Sequence, residues 1–497
     1  MDRENKKRKW EGNDDGPSAC PQPPASEDAA QEPSGTKGDD RIAPKSQSRD
    51  DTYYKNLYAF EVNFDQLAVE DSAFAAVLKK PGQLDFTDPV SVVQLTKSTL
   101  KRDFGLHIEL PADRLCPPVH NRHNYILWLK ELLDSSSYDK PGGRLSGLDI
   151  GTGASCIYPL LGCTQRPWEF IATDLDEKSL AWAAENVKRN GLEHRIRLVR
   201  RHRPTDPLIP LDELGVDAVD FVMTNPPFYE SPDELRHLAG NKARPPPSAC
   251  TGAPVEMVCD GGEVGFVGRM LDESLALRGR ARWYTAMLGK LSSLEVLVGR
   301  LRGGAGVAAA RGGNYAVAEF VQGARTRRWA VAWTFGPMRP SQAAARGSVA
   351  ELKWNKVPLP VEVEAEVAAV AVGDAGAAAE FLDGLMRSLD LESWDWDGRA
   401  LRGVGRTRQN VWSRLWRRKQ ARKMAGKLTD ADVADADAGK EAELPMFGFE
   451  VSVVVGLGGG FVLCRWREGH DQGIFTSICG FLKTKLEGIG KGAGVVS

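Results

Sequence analysis

Gly147-Leu148-Asp149-Ile150-Gly151-Thr152-Gly153 is a short apolar run that passes straight into a glycine turn. It reads as a buried strand with a tight turn at its C-terminal end. In an open parallel sheet that end is where a nucleotide-like ligand lies, because glycine lets backbone approach the ligand closely. A Gly-x-Gly by itself also marks a plain tight turn. Downstream, Phe170-Ile171-Ala172-Thr173-Asp174 is a second strand ending in an acid. Standing about twenty residues past the turn, Asp174 suits a ribose diol; its competing reading is a helix N-cap. Together the two features read as a site for an adenosine-containing cofactor. Gly151-Thr152-Gly153-Ala154-Ser155-Cys156 lacks the third glycine of dinucleotide folds, which turns the choice from NAD to S-adenosyl-L-methionine.

Alternation of strands and helices continues outward. Ser179 to Asn190 predicts a helix closed by Gly191, and Arg195–Val199 and Asp217–Met223 predict two more strands. Tyr315–Phe320 and Trp329–Trp333 look like a closing antiparallel pair. Elements of this length in this order predict an α/β fold, a parallel sheet with helices on both faces.

After the fourth strand stands Asn225-Pro226-Pro227-Phe228. Adenine N6 is a poor nucleophile because its lone pair is delocalised into the ring. A carboxamide oxygen (Asn225) and a carbonyl (Pro226) that accept from both its N–H groups would push it towards a nucleophilic geometry. The prolines hold that carbonyl at a fixed angle, and Phe228, with Tyr229 beside it, offers a face for stacking. A sulfonium leaving group needs no metal, so catalysis would rest on positioning and electrostatics. The competing reading is a Pro-rich turn after a buried strand, or methylation of glutamine or asparagine side-chain amides. Asp260-Gly261-Gly262-Glu263 ends a turn-rich loop over residues 229–262 that could close over a substrate or simply lie on the surface.

The whole chain of 497 residues is too long for one core, and its net charge of -2 conceals uneven patches. Lys6–Lys9 is basic, 417–423 is basic, and 430–443 is acidic. Eight cysteines form no CxxC pair and no zinc-spaced cluster with histidine, so no metal site is expected. Scattered thiols suit a reducing compartment, and no apolar run reaches the ~20 residues that span a bilayer. The expected chain is intracellular and soluble, without a membrane partner. Residues 1–50 are polar and should be a disordered tail. The expected organisation continues with an N-terminal extension over 51–143, the core over 144–338 and a linker over 339–350. A C-terminal module follows over 351–427 and 445–488, split by an acidic spacer, 428–444.

Arginine stands among aromatics late in the core: Arg278, Arg280 and Arg282 beside Trp283 and Tyr284, and Arg325, Arg327 and Arg328 beside Trp329. Such a pattern makes a phosphate-and-base surface, although solvated faces carry similar charge. Arg406–Lys427, with Trp412 and Trp416 one turn apart, reads as an amphipathic helix, an RNA-binding helix, or both.

The stretch from about Tyr53 to Phe335 resembles the family of U6 small nuclear RNA adenine-N6 methyltransferases and their bacterial 23S ribosomal RNA relatives. The resemblance is carried by Arg102-Asp103-Phe104-Gly105-Leu106, Arg122 with Asn124-Tyr125-Ile126, Asp149 through Leu160, Asn225–Phe228, and Arg282-Trp283-Tyr284 through Lys290. It implies a class I, Rossmann-like methyltransferase core with an N-terminal extension and S-adenosyl-L-methionine as cofactor. Arg122, Gly151, Asp174, Thr205 and Asn225 match the family's cofactor-contacting positions, and Arg325 and Arg328 match arginines that meet RNA. Asp174 stands where eukaryotic relatives carry Glu, and Tyr229 where Phe follows the motif. The C-terminal module is similar in element order to the RNA-binding, kinase-associated-like domain of the eukaryotic U6 enzyme. The resemblance therefore implies a structured RNA partner, U6 small nuclear RNA, and a nuclear location, with the cytoplasm also open. Ribosomal RNA as substrate, or a non-catalytic RNA-binding role on a methyltransferase scaffold, are the alternatives.

Overall fold

The computed structural model of the chain describes residues 49–59, 62–231, 233–234, 252–303, 307, 313–322, 326–346, 361–424, 446–456 and 459–492. The expected tail up to residue 48, the acidic spacer 428–444, most of 229–251 and Arg325 lie outside them.

The sequence around the glycine turn folds into a seven-stranded sheet. Its strands are β1 (Ser146–Ile150), β2 (Glu169–Asp174), β3 (Ile196–Arg200), β4 (Val219–Thr224), β5 (Ala281–Leu288), β6 (Asn314–Gln322) and β7 (Thr326–Thr334). They lie in the order β3-β2-β1-β4-β5-β7-β6. The first five run parallel, and β7 is antiparallel to both its neighbours. Near-continuous apolar runs such as Phe221-Val222-Met223 are what a sheet covered on both faces requires. Gly147 has its own reason: a Cβ there would run into the Phe221 ring on the neighbouring strand.

Helices α1 (Pro89–Thr99), α2 (Val119–Ser135), α3 (Ile157–Gln165) and α4 (Glu177–Arg189) precede β3, and α5 (Gly262–Leu277) and α6 (Leu291–Arg302) flank β5. One face of the sheet buries Phe170, Phe221 and Met287 with Leu129 of α2 and Leu160 of α3. The other buries Leu148 and Val222 with Met270 of α5 and Leu297 of α6. The resemblance string Arg102–Gly105 is a structural knot. Residues 100–104 form one π-helical turn, ended by Gly105 at φ 69°. Buried Asp103 accepts from the Tyr58 hydroxyl at 2.9 Å, and Phe104 stacks on Tyr54 at 5.7 Å. His123 of α2 joins the same knot, its Nε2 2.9 Å from Tyr54 O, so the parts of the N-terminal extension are held to one another.

The C-terminal module is a five-stranded antiparallel sheet, β8 (Val363–Val370), β9 (Ser393–Asp397), β10 (Arg402–Thr407), β11 (Phe447–Gly456) and β12 (Gly459–Glu468), ordered β8-β12-β11-β10-β9. It carries α7 (Ala375–Arg387), α8 (Arg414–Met424) and α9 (Gln472–Gly492). Its first strand starts at Val363. Strands β9 and β10 are hidden in sequence by charge. Trp412 precedes α8 and is buried with its indole N–H on Ser477 Oγ at 3.1 Å, while Trp416 lies within the helix. The two tryptophans therefore belong to separate elements, because Ser413 accepts the Trp416 amide at 3.1 Å and starts the helix there.

The expected linker is docked on both sides over its described part. Gly469 N donates to Pro337 O, Arg339 N to Arg467 O, and Glu362 N to Pro340 O, each at 2.9 Å. The Arg339 guanidinium lies 3.6 Å from the centre of the Trp466 ring. On the other side the Trp128 indole N–H donates to Ala344 O at 2.7 Å. Tyr138 Oη donates to Glu468 at 3.1 Å, and Arg467 to the carbonyls of Ser135 and Ser137 at 3.3 and 3.0 Å. Gly448 sits in this junction, where a Cβ would strike Tyr138 Oη and lie 2.8 Å from Glu468 Cβ. Gly448→Ala should cost about 1–3 kcal/mol through overpacking, read as a lower melting temperature. An unchanged melt would show that the junction opens without cost.

Candidate cofactor cleft and target-base motif

A cleft of about 760 Å³ opens at the C-terminal ends of β1, β2 and β4. Its floor is the glycine turn. Gly151 and Gly153 hold φ of 74° and 66°, which glycine adopts at little cost. The amides of Gly151 and Thr152 donate to Thr173 O at 2.9 Å. Gly153 N donates to Asp174 Oδ2 at 2.8 Å, and Asp176 N to Asp174 Oδ1 at 2.9 Å. The sequence-predicted acid therefore holds the turn in shape while lining the cleft. Burial pushes its carboxyl above the usual carboxylate range, against the pull of those amides.

Arg122 reaches the cleft from α2 and is 5% exposed. Its Nη1 donates to Tyr158 Oη at 2.6 Å, and its Nε has no partner among the described residues. Thr205 is exposed on the opposite wall, in a turn that Asp206 builds by accepting the amides of His202 and Arg203 at 2.9 and 3.0 Å. Arg269 of α5 pins the same turn through the carbonyls of Pro204 and Asp206.

The Asn-Pro-Pro-Phe motif begins where β4 ends. Thr224 Oγ1 donates to Ile150 O at 2.9 Å, and Thr285 Oγ1 to Val222 O at 3.0 Å, so the motif leaves a rigid strand. Asn225 Oδ1 is shut off from solvent and has no hydrogen-bond partner among the described residues. A buried acceptor left so is costly unless a ligand satisfies it. Phe228 packs on Gly289, where a Cβ would lie 2.9 Å from its ring. Arg328 Cζ stands 5.9 Å from the Phe228 ring centre. Burial, then the neighbouring Arg122, holds the Arg328 guanidinium below its usual range. Two cations therefore face one small volume beside the motif. Beyond Phe228, Tyr229 N donates to Met257 O at 3.0 Å and Cys259 N to Tyr229 O at 3.1 Å, so the far end of the 229–262 loop returns onto the motif.

The fold thus brings Arg122, Gly151, Asp174, Thr205, Asn225 and Pro227 around one cleft; Pro226, Phe228 and Arg328 are not in its lining, and the last two meet each other just past Pro227. Arg282 is not among them. It is the second residue of β5, at the end of the strand away from the cleft, and pairs with Asp220 at 3.1 Å. Sequence reasoning passed over three acids. Asp149 lies fully buried beneath the turn, Glu256 stands over it, and Glu263 accepts the amides of Gly289 and Lys290 at 2.7 and 3.0 Å. Asp149 and Glu263 stood inside quoted motifs, but Glu256 carried no periodic or spacing signal.

A seven-stranded sheet in this order, with a glycine turn, an acid on the next strand and Asn-Pro-Pro-Phe on the fourth, defines a Rossmann-like methyltransferase. Residues 53–337 match the family described as RNA methyltransferase, and the chain belongs to that family. It is 35% identical over 410 residues to the U6 small nuclear RNA (adenine-(43)-N(6))-methyltransferase of Schizosaccharomyces pombe, covering 82% of this chain and 96% of that protein. It is 44% identical over 254 residues to the RNA N(6)-adenosine-methyltransferase METTL16 of Mus musculus, covering 51% of this chain and 44% of that protein. Among solved structures it is similar to the human METTL16 catalytic domain in complex with the MAT2A 3'UTR hairpin 1. There the TM-score is 0.50 at 38% identity, over 56% of this chain and 94% of that chain. The chain thus spans nearly all of the yeast relative and less than half of the mouse one.

Proposed function

We propose that this enzyme transfers a methyl group from S-adenosyl-L-methionine to adenine N6 in structured RNA, with U6 small nuclear RNA as target. The observation that carries the reading is the buried, partnerless Asn225 Oδ1 in the lining of the cleft that the glycine turn floors. The residues present suit the cofactor. The open glycine turn admits a nucleoside, Asp174 can accept from a ribose diol, and Arg122, which has no ion-paired carboxylate among the described residues, can meet the carboxylate of an amino acid. When bound, the cofactor supplies a methyl group activated by its sulfonium.

The chain's own part is positioning. Asn225 Oδ1 and the Pro226 carbonyl accept from the target amine, while Pro226 and Pro227 fix their angle. Phe228 stacks the base, and Arg328, already over that ring, adds positive potential for RNA phosphate. Arg325 shares that role by resemblance and lies outside the described residues. The basic run Lys6–Lys9, also outside them, and the U6 relative support a nuclear location.

The test is cofactor-dependent labelling of a U6 hairpin against a ribosomal RNA hairpin of equal length, with the modified base mapped. U6 labelled at adenine N6 is the expected result; preferential labelling of the ribosomal hairpin would replace the target, and no labelling of either would remove the activity. Arg328→Ala should weaken RNA binding about tenfold and lower the slope of log affinity against log salt by about one. Titrations at several salt concentrations check this, and an unchanged slope would take Arg328 out of phosphate contact.

A further inference from the structure

The segment that follows the target-base motif brings an acid of its own to the cofactor cleft. Glu256 lies in the short helix Pro254–Met257. Its Oε2 accepts two backbone amides, from Leu115 at 3.0 Å and Ala253 at 2.8 Å. Those bonds account for its structural duty: they tie the returning loop to the N-terminal extension. Its other oxygen, Oε1, has no hydrogen-bond partner among the described residues and faces the glycine turn, 3.7 Å from where a Cβ on Gly153 would stand.

Gly153 is also the residue whose amide holds Asp174 Oδ2. Two carboxylates therefore approach one glycine, Asp174 from the sheet and Glu256 from the loop, and both line the same cleft. The remaining charge near Glu256 is Arg114, which is itself committed to Asp113 and Asp176 at 2.8 and 2.7 Å. Burial raises both acids above the usual range; the charge of Asp174 adds to this at Glu256, and that of Asp176 at Asp174. Such a pair is unfavourable in the free protein and is relieved by a ligand that brings hydroxyl donors.

The geometry points to Glu256 as a second cofactor-binding acid, its Oε1 sharing with Asp174 the vicinal hydroxyls of the ribose. This rests on the cofactor reading above and adds a consequence to it. Glu256 precedes Met257, whose carbonyl accepts from Tyr229 N, and Tyr229 follows Phe228. Binding of the nucleoside would then hold closed the segment that carries the base platform, so cofactor and RNA should bind cooperatively.

Glu256→Gln separates the two duties. A glutamine can keep its carbonyl oxygen on the Leu115 and Ala253 amides, but it presents an NH₂ donor where Oε1 accepted. In the full-length protein, calorimetric titration with S-adenosylhomocysteine should show affinity about tenfold weaker for Glu256→Gln, with the melting temperature of the free protein unchanged. The 2′-deoxy or 3′-deoxy form of the same ligand should lose affinity for the wild type and lose distinctly less for Glu256→Gln. Glu256→Asp, which keeps the charge but withdraws it from Gly153, should also bind more weakly, and provides the test should the glutamine variant melt early. Wild-type affinity in both variants, with equal losses for the deoxy ligands, would overturn the assignment and leave the cofactor reading intact. A wild type that fails to bind S-adenosylhomocysteine at all would overturn both.

Discussion

Asn225→Ala should lower the rate of RNA methylation by about 10²–10³ at saturating cofactor and RNA, the scale seen when one preorganised polar group aimed at developing charge is removed. Asn225 Oδ1 has no partner among the described residues, so truncating it breaks no hydrogen bond of that oxygen among them. Thr224, immediately before it, stays bound to Ile150 O, so the strand keeps its place. The loss should therefore fall mainly on kcat, with smaller changes in the KM for cofactor and RNA, since the interaction strengthens as the amine turns nucleophilic. Asn225→Asp retains an acceptor at the same reach and should recover at least tenfold over the alanine variant. Single-turnover labelling of a U6 hairpin by the three proteins provides the measurement. Equal rates for wild type and Asn225→Ala would remove Asn225 from the chemistry and reopen a scaffold role.

Much of this site was legible because its geometry is written in backbone constraints. Only glycine tolerates φ of 74° and 66° at little cost, so Gly151 and Gly153 announced the turn. Asp174 ends its strand where the apolar run stops, and two prolines beside Asn225 cannot continue a central strand. Arg282 shows what such reading misses. It resembled its neighbours in composition, yet strand direction alone puts it at the end of β5 away from the cleft, where Asp220 neutralises it. Glu256 was invisible because its partners, Leu115 and Gly153, are over a hundred residues distant in sequence. The C-terminal strands β9 and β10 were hidden for another reason. Their alternation of Trp394 and Trp396 with Ser393, Asp395 and Asp397 is that of a sheet half exposed to solvent, and the surrounding charge masked it. The docked linker could not be read either, since Pro337–Pro340 gains its bonds from residues 361–469.

Asp149→Asn should make the free protein more stable at pH 8 while making cofactor binding less dependent on pH. Asp149 sits under the glycine turn with no exposed surface, and neither carboxylate oxygen has a hydrogen-bond partner among the described residues. Burial pushes its carboxyl up to about 7; the nearby Asp174 adds to this, and the Thr152 hydroxyl and Arg122 oppose it. A carboxyl raised on folding favours the folded state relative to its ionised form only while it stays protonated. Its contribution is full below the unfolded value near 4, declines as pH rises, and is lost once pH passes about 7. The difference, about three pH units, corresponds to roughly 4 kcal/mol of stability forgone by pH 8. Asparagine does not titrate, so the variant's melting temperature should stay nearly flat from pH 5 to 8 where the wild type's falls. A cationic cofactor offsets the same charge. S-adenosyl-L-methionine should therefore gain affinity over uncharged-sulfur S-adenosylhomocysteine between pH 6 and 8 in the wild type, and the ratio should be constant in Asp149→Asn. Parallel melts and titrations across that range decide it. A wild-type melting temperature that rises through pH 7 no less than the variant's would show that Asp149 is ionised at little cost, and that the turn rests on a solvated carboxylate.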